Sequence, residues 1–234
     1  MKKVYVLIGN FGSGKTELAL HFAFKAAEHG RTELLDVDMV NTYFRLSERR
    51  ELIAERGIRL VTPHYVSTNI ETLSLPAEVS SAFDMDWDTV VFDAGGDPAG
   101  ATALGRFAEN FAALEPEQLT VLNVVNTRRP MSGTAEKVTA LMREMERNSR
   151  LRVTGFVNNT NLAHLTTADE LREGYEVLRE VSDATAIPVL YTSGLPEILA
   201  EFLTQGHDPR YIGEPIAIET HMHRDWDRFT RFGV

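Results

Sequence analysis

Val4-Tyr5-Val6-Leu7-Ile8-Gly9-Asn10-Phe11-Gly12-Ser13-Gly14-Lys15-Thr16 is the stretch on which the reading of this chain turns. A β-rich apolar run, Val4–Ile8, ends at Gly9, and Lys15–His29 then carries a helical pattern closed by Gly30, where a C-terminal glycine cap belongs. Between them Gly9–Thr16 fits G-x-x-x-x-G-K-[ST], a strand-to-helix loop that holds phosphate. Its glycines let the backbone wrap closely and turn N–H groups inward, and the helix N-terminus adds its positive dipole end. Lys15 is expected to reach the β- and γ-phosphates and Thr16 to coordinate Mg²⁺. A random chain of this length matches the pattern about once in a hundred, and requiring the strand and the helix removes most of those matches. The expected nucleotide-binding set is Gly9, Asn10, Phe11, Gly12, Ser13, Gly14, Lys15, Thr16 and the adjoining Glu17.

Outward from the loop, short β-rich runs alternate with helical patterns. The strand candidates are Val4–Ile8, Thr32–Val37, Ile58–Val61, Thr89–Phe92, Leu119–Val125, Arg152–Val157 and Ile187–Tyr191. The helix candidates are Lys15–His29, Ala99–Ala113, Ser132–Asn148, Thr167–Val181 and Pro196–Leu203. Thr166 or Thr167, with Glu170 following, makes an N-terminal cap for the fourth. Near-continuously apolar strands between helices imply an α/β fold: a three-layer, doubly wound, mostly parallel sheet of about seven or eight strands, with helices on both faces. No linker, repeat or low-complexity tract interrupts the chain, so residues 1–234 read as one domain. Ile216–Ile218 suggests an edge strand and Met222–Phe232 a last helix. The Pro/Ser/Thr-rich Val61–Pro76 has the character of a lid or switch loop.

A phosphate loop needs carboxylates from neighbouring strand ends on the same sheet edge. Asp93 follows Asp88-Thr89-Val90-Val91-Phe92 and is expected to hold Mg²⁺ through water. In Ala94-Gly95-Gly96-Asp97, Gly96 is placed to donate its N–H to a γ-phosphate and Asp97 to move with that contact. Leu34-Leu35-Asp36-Val37-Asp38 offers a second site, where strand alternation puts both carboxylates on one side. Two ionised carboxylates so close call for a cation or donors nearby.

The chain carries no cysteine, which excludes disulfides, thiolate metal sites and cysteine nucleophiles. A net charge of −10 argues against a surface built to grip nucleic acid. No apolar run approaches a membrane span, and Val4–Ile8 is too short for a secretion signal, so a cytoplasmic protein without a membrane anchor is expected.

Together these residues resemble the signal-recognition/MinD/ParA-type (SIMIBI) branch of P-loop NTPases, which also includes the nitrogenase iron protein and the CobQ/CobB amide ligases. The run Asp36–Arg45 resembles a stand-alone set of bacterial MinD-like ATP-binding proteins. The resemblance implies Asp36 near Mg²⁺, Asp38 orienting the attacking water, and Asp93–Asp97 as a switch segment whose second Asp is mechanistic. It implies Asn158 or Asn159 at the adenine, flanked by Ser193-Gly194-Leu195. No Asn-Lys-x-Asp guanine motif stands there: Asn158-Asn159-Thr160-Asn161 has no Asp to pair with guanine's N–H groups, so ATP is expected rather than GTP. Asn10 replaces the loop lysine of the branch's ATP-sandwich dimers, so a homodimer, if formed, lacks that device.

Three functional expectations follow. The leading one is an Mg²⁺-dependent ATPase, catalytic through Lys15, Asp38 and Asp97, that drives a conformational switch acting on a partner protein. The rival is an ATP-dependent ligase or kinase acting on a small molecule through Arg45, Arg128, Arg129 and Thr62–Ser74. The third is a nucleotide-binding regulator with negligible turnover. Arg128-Arg129-Pro130, on the active edge, suits a phosphate or a carboxylate. His221-Met222-His223 is read as surface decoration rather than a metal site.

Overall fold

The computed structural model describes residues 1–38, 46–65, 73–74, 77–84, 86–96 and 98–222. β1 (Lys3–Ile8) leads through the glycine loop into α1 (Lys15–Ala27), and β2 (Thr32–Val37) follows. α2 (Arg50–Glu55) precedes β3 (Arg59–Val61), and β4 (His64–Tyr65) pairs with β5 (Leu73–Ser74) in a separate antiparallel ribbon. Then come β6 (Thr89–Ala94), α3 (Pro98–Gly105), α4 (Ala108–Ala112) and β7 (Leu119–Val125). The described chain continues with α5 (Ala135–Ser149), β8 (Gly155–Asn158), α6 (Ala168–Thr185), β9 (Val189–Gly194), α7 (Pro196–Leu203) and β10 (Glu214–Ala217). Eight strands form one sheet in the order β10-β9-β8-β7-β1-β6-β2-β3, with every neighbouring pair parallel.

The strands are apolar almost throughout because helices cover both faces. Val4, Val6, Ile8, Leu35, Val37 and Phe92 pack against α3 to α6, while Leu7, Leu34, Val91, Leu122 and Val157 pack against α1 and α2. β1 lies between β6 and β7, so the chain leaves it in one direction for β2 and β6 and later crosses to β7. Ligands of such sheets bind at this reversal, outside the carboxyl ends of the strands.

Several elements differ from the sequence expectation, three of them as follows. The run expected as strand from Arg152 pairs only from Gly155: Thr154 takes Val121 by both its backbone N–H and its side chain, while Leu151 and Val153 are buried outside the ladder. The helix expected over Ala99–Ala113 breaks after Gly105, where the Asn148 carbonyl comes within 2.7 Å of the position a Cβ would occupy. The edge strand begins at Glu214, earlier than its apolar residues suggest. The expected last helix runs into residues beyond those described.

Candidate functional site

The loop after β1 is shaped by glycines in conformations other residues rarely adopt, with φ of 147° at Gly9, 70° at Gly12 and 90° at Gly14. Lys15, buried at the start of α1, folds back and donates from Nζ to the carbonyls of Gly9 at 3.1 Å and Asn10 at 3.0 Å. The Lys15 ammonium thus lies against the loop at the start of α1, where a helix N-terminus and a glycine-rich loop together suit phosphate oxygens. Behind the loop, Asn159 Nδ2 donates to the Ser13 carbonyl at 2.7 Å, and its Oδ1 accepts from Ser193 Oγ at 2.8 Å.

The carboxylates are brought together by sheet register. β2 and β6 are neighbours, and Asp36 pairs directly with Asp93, which in turn pairs with Leu7 of β1. Both share the side of the sheet that packs on α1, as Leu34 and Val91 show two residues earlier. Asp93 is fully buried and hydrogen-bonded to the Thr16 side chain, and its Oδ1 has no hydrogen-bond partner. Burial, with the nearby Asp36 carboxylate, pushes the Asp93 carboxyl up to about 8 against the opposing pull of Lys15 and Thr16. A buried, orphaned carboxylate oxygen beside a second carboxylate and a threonine hydroxyl is a donor set for a hard divalent cation, and it fits Mg²⁺. Asp38 curls over this pair: its N–H donates to Asp36 Oδ1 at 3.1 Å, and its own Oδ1 lies 3.1 Å from where a Cβ on Gly95 would stand.

Gly96 packs on the crest of the phosphate loop. A Cβ there would come within 2.6 Å of the backbone N and Cα of Phe11, so the β6 end and the loop touch backbone to backbone. Asp97, Arg45 and His223 lie outside the described residues, as do residues 39–44 after Asp38 and residues 66–72 and 75–76 of the expected lid or switch loop Val61–Pro76.

Several expected binding groups already have protein partners. Asn158 donates from Nδ2 to Leu171 O and accepts at Oδ1 from Thr160 N, holding the start of α6 against the sheet. Asn159 buttresses the loop, as described above. Ser193 and Gly194 end β9, and Leu195 caps α7, so this expected base-flanking segment does border the β8 end. Glu17 turns away from the loop and accepts the N–H groups of His221 and Met222. Arg128 is paired with Glu170 at 3.1 Å and Glu173 at 2.8 Å, whereas Arg129 reaches across to the phosphate loop and donates from Nε to Gly12 O at 2.9 Å. The sequence marked both arginines as lying on the active edge but had no means of separating them. Among the described residues no helix is long and apolar enough to cross a membrane.

No family model and no curated protein matches this chain. Solved structures do match. Cell division protein FtsY from Thermotoga maritima aligns with a TM-score of 0.54 at 16% identity, over 82% of this chain and 62% of its own. Chloroplast FtsY from Physcomitrella patens gives 0.54 at 18% identity, over 82% and 58%. Signal recognition particle 54 kDa protein from Aeropyrum pernix, in complex with GDP, gives 0.51 at 12% identity, over 82% and 41%. This chain therefore spans less than two thirds of the length of each. These structures lie on the signal-recognition side of the resemblance rather than the MinD side. What they share with this chain is an architecture: the protein has the P-loop NTPase fold of the SIMIBI type.

Proposed function

We propose that the chain is one P-loop domain that binds ATP with Mg²⁺, hydrolyses it, and passes the change to a partner protein through the segments after β2 and β6. One observation carries this reading: Lys15, Thr16, Asp36 and the orphaned Asp93 Oδ1 converge at the ends of three adjacent strands, beside a loop built for phosphate. Lys15 exchanges the Gly9 and Asn10 carbonyls for phosphate oxygens. Thr16, Asp36 and Asp93 would hold the cation, which would supply neutralisation of charge on the phosphates. Asp38, at the mouth of the site, orients the attacking water, and Asp97 shares that task. The loop N–H groups and Lys15 stabilise charge developing on the γ-phosphoryl group. The base rests against the ends of β8 and β9, at Asn158, Asn159, Ser193, Gly194 and Leu195.

Adenine is favoured because the sequence Asn158–Asn161 offers no carboxylate to accept from guanine. Guanine is nevertheless the base to test against it, since one of the similar structures carries GDP. The small-molecule ligase reading loses Arg128 as a free substrate group, because Glu170 and Glu173 hold it.

The test is phosphate release and equilibrium binding with Mg·ATP and Mg·GTP, using Lys15→Ala as control. Binding and release that Lys15→Ala abolishes, with ATP preferred, support the reading. Tighter binding of GTP overturns the choice of base, and binding of neither nucleotide overturns the whole. Asp38→Ala and Asp97→Ala should spare binding more than turnover. Stimulation of turnover by a macromolecular fraction of cell extract supports the switch, and coupling to a metabolite supports the ligase or kinase.

A further inference from the structure

Two cations rest on carbonyls of the phosphate loop. Lys15 Nζ lies on Gly9 O and Asn10 O, and Arg129 Nε lies on Gly12 O. The lysine belongs to the loop motif, but the arginine comes from the turn after β7, far away in sequence. That turn is firmly built. Asn126 O accepts from Arg129 N at 3.1 Å and from the buried Ser132 Oγ at 2.7 Å, while Asn126 Oδ1 accepts from Arg128 N at 3.0 Å. Asn126 Nδ2 also ties the turn to the loop after β8, donating to Asn161 O at 3.1 Å. The backbone of Arg129 is thus fixed, and the side chain crosses to the phosphate loop from a rigid base. The guanidinium lies flat over Gly12: a Cβ at Gly12 would stand 3.1 to 3.5 Å from its Nε, Cζ and Nη2. Its neighbour Arg128 is turned away and neutralised by two glutamates, so the turn delivers one cation, not two.

A guanidinium that donates to a neutral carbonyl is using one of its five N–H groups, on a weak acceptor. A phosphate oxygen within reach is a stronger acceptor and matches the planar fork of donors. Resting on Gly12, Arg129 occupies the outer side of the loop, across β1 from the carboxylates of β2 and β6. It thus approaches the loop from the side opposite the Asp36 and Asp93 carboxylates. We propose that Arg129 is a phosphate-binding residue: on nucleotide binding its guanidinium leaves Gly12 O and takes an oxygen of the nucleotide's phosphate chain, supplying an outer positive charge from within the same chain. This rests on the nucleotide-binding reading above.

The test compares Arg129→Ala, Arg129→Lys and Arg129→Gln with wild type and with Lys15→Ala, measuring kcat/KM for Mg·ATP and ATP affinity. Arg129→Ala should lower kcat/KM by at least about tenfold, a modest share of what an arginine can contribute to phosphoryl transfer. Arg129→Lys, which keeps the charge, should recover part of the loss, as should free guanidinium added to Arg129→Ala. Arg129→Gln, which keeps a donor for Gly12 O but no charge, should not. Recovery by Arg129→Gln would show that the residue only positions the loop and would overturn the proposal. Wild-type kcat/KM in Arg129→Ala, with Lys15→Ala impaired, would also overturn it while leaving the nucleotide reading intact. Arg128→Ala serves as the neighbour control, and its kcat/KM should stay within about twofold of wild type. Failure of wild type itself to bind nucleotide removes both readings. Arg129 is exposed, so the melting temperatures of its variants should match wild type, and the Lys and Gln variants decide the matter if Arg129→Ala does not fold.

Discussion

Asp93 is fully buried beside Asp36, and burial together with that like charge raises its carboxyl to about 8. An aspartate ionises near 3.8 in an unfolded chain, so between about pH 4 and pH 8 the folded protein retains a proton that the unfolded chain has released. The unfolded state then binds fewer protons, and stability without ligand falls as pH rises through this window, levelling above about pH 8. Asp93→Asn keeps the shape and removes the titration. At pH 8 it should melt higher than wild type in the absence of nucleotide and metal, by about 2–4 °C for each kcal/mol recovered, while losing Mg²⁺-dependent turnover. Scanning calorimetry at pH 6 and pH 8 checks this, and equal pH slopes in the two proteins would contradict it. At Gly96 the same scale gives a steric prediction. A Cβ would meet backbone atoms of Phe11 at 2.6 Å, which cannot yield as a flexible side chain can, so Gly96→Ala should cost about 1–3 kcal/mol and impair the site. Gly57→Ala, with nothing near its Cβ, should show only the backbone strain of φ 69°. Asp36 and Asp93 could be picked out in the sequence because each stands near the end of an apolar strand. The reach of Arg129 and the buttress of Asn159 were not, because side-chain contacts between distant loops leave no local pattern.

Elements announced themselves where the signal was local. Thr32–Val37, Leu119–Val125 and Pro196–Leu203 run as their residues imply, and α6 starts at the capping box anticipated near Thr167, whose N–H donates to Glu170 at 2.8 Å. The hydrogen bond from the Thr167 hydroxyl, with that from its backbone, holds the Glu170 carboxyl below its usual range. Thr167→Ala should lower stability by about 0.5–2 kcal/mol, measured by urea unfolding. The break after Gly105 was hidden: the contact that marks the place, the close approach of the Asn148 carbonyl from α5, is tertiary and leaves no local pattern. Also hidden was the role of Glu17, in the first turn of α1. It accepts both N–H groups at His221 and Met222, while Arg49 donates to the His221 carbonyl and Met222 is buried among α1 side chains. Glu17→Ala leaves two backbone donors without their charged acceptor and should destabilise by about 1–3 kcal/mol. A loss below about 0.5 kcal/mol would mean that water replaces the carboxylate.

At the scale of the molecule, parallel order and sheet reversal set the chemistry: β1 lies between β6 and β7, so carboxylates arrive from one side of the phosphate loop and Arg129 from the other. The alternation of strands and helices made this architecture readable, whereas the order of strands within the sheet had to come from tertiary packing. In a chain of net charge −10, the site buries Asp93 beside Asp36, an arrangement that opposes folding as Asp93 ionises. On the proposed function, ligand binding and stability are linked through the proton on Asp93. A cation held there would need the carboxylate form, so below about pH 8 its uptake would have to displace that proton, and affinity should rise with pH until the group is ionised without help. Ligand at a hundred times its Kd stabilises by about 2.7 kcal/mol, or roughly 5–10 °C for a chain of this size. The melting shift produced by a fixed concentration of Mg·ATP should accordingly be larger at pH 8 than at pH 6 in wild type, smaller and pH-independent in Asp93→Asn, and absent in Lys15→Ala. A wild-type shift that does not change between the two pH values would place the cation away from Asp93 and dissolve the link between the buried pair and the nucleotide.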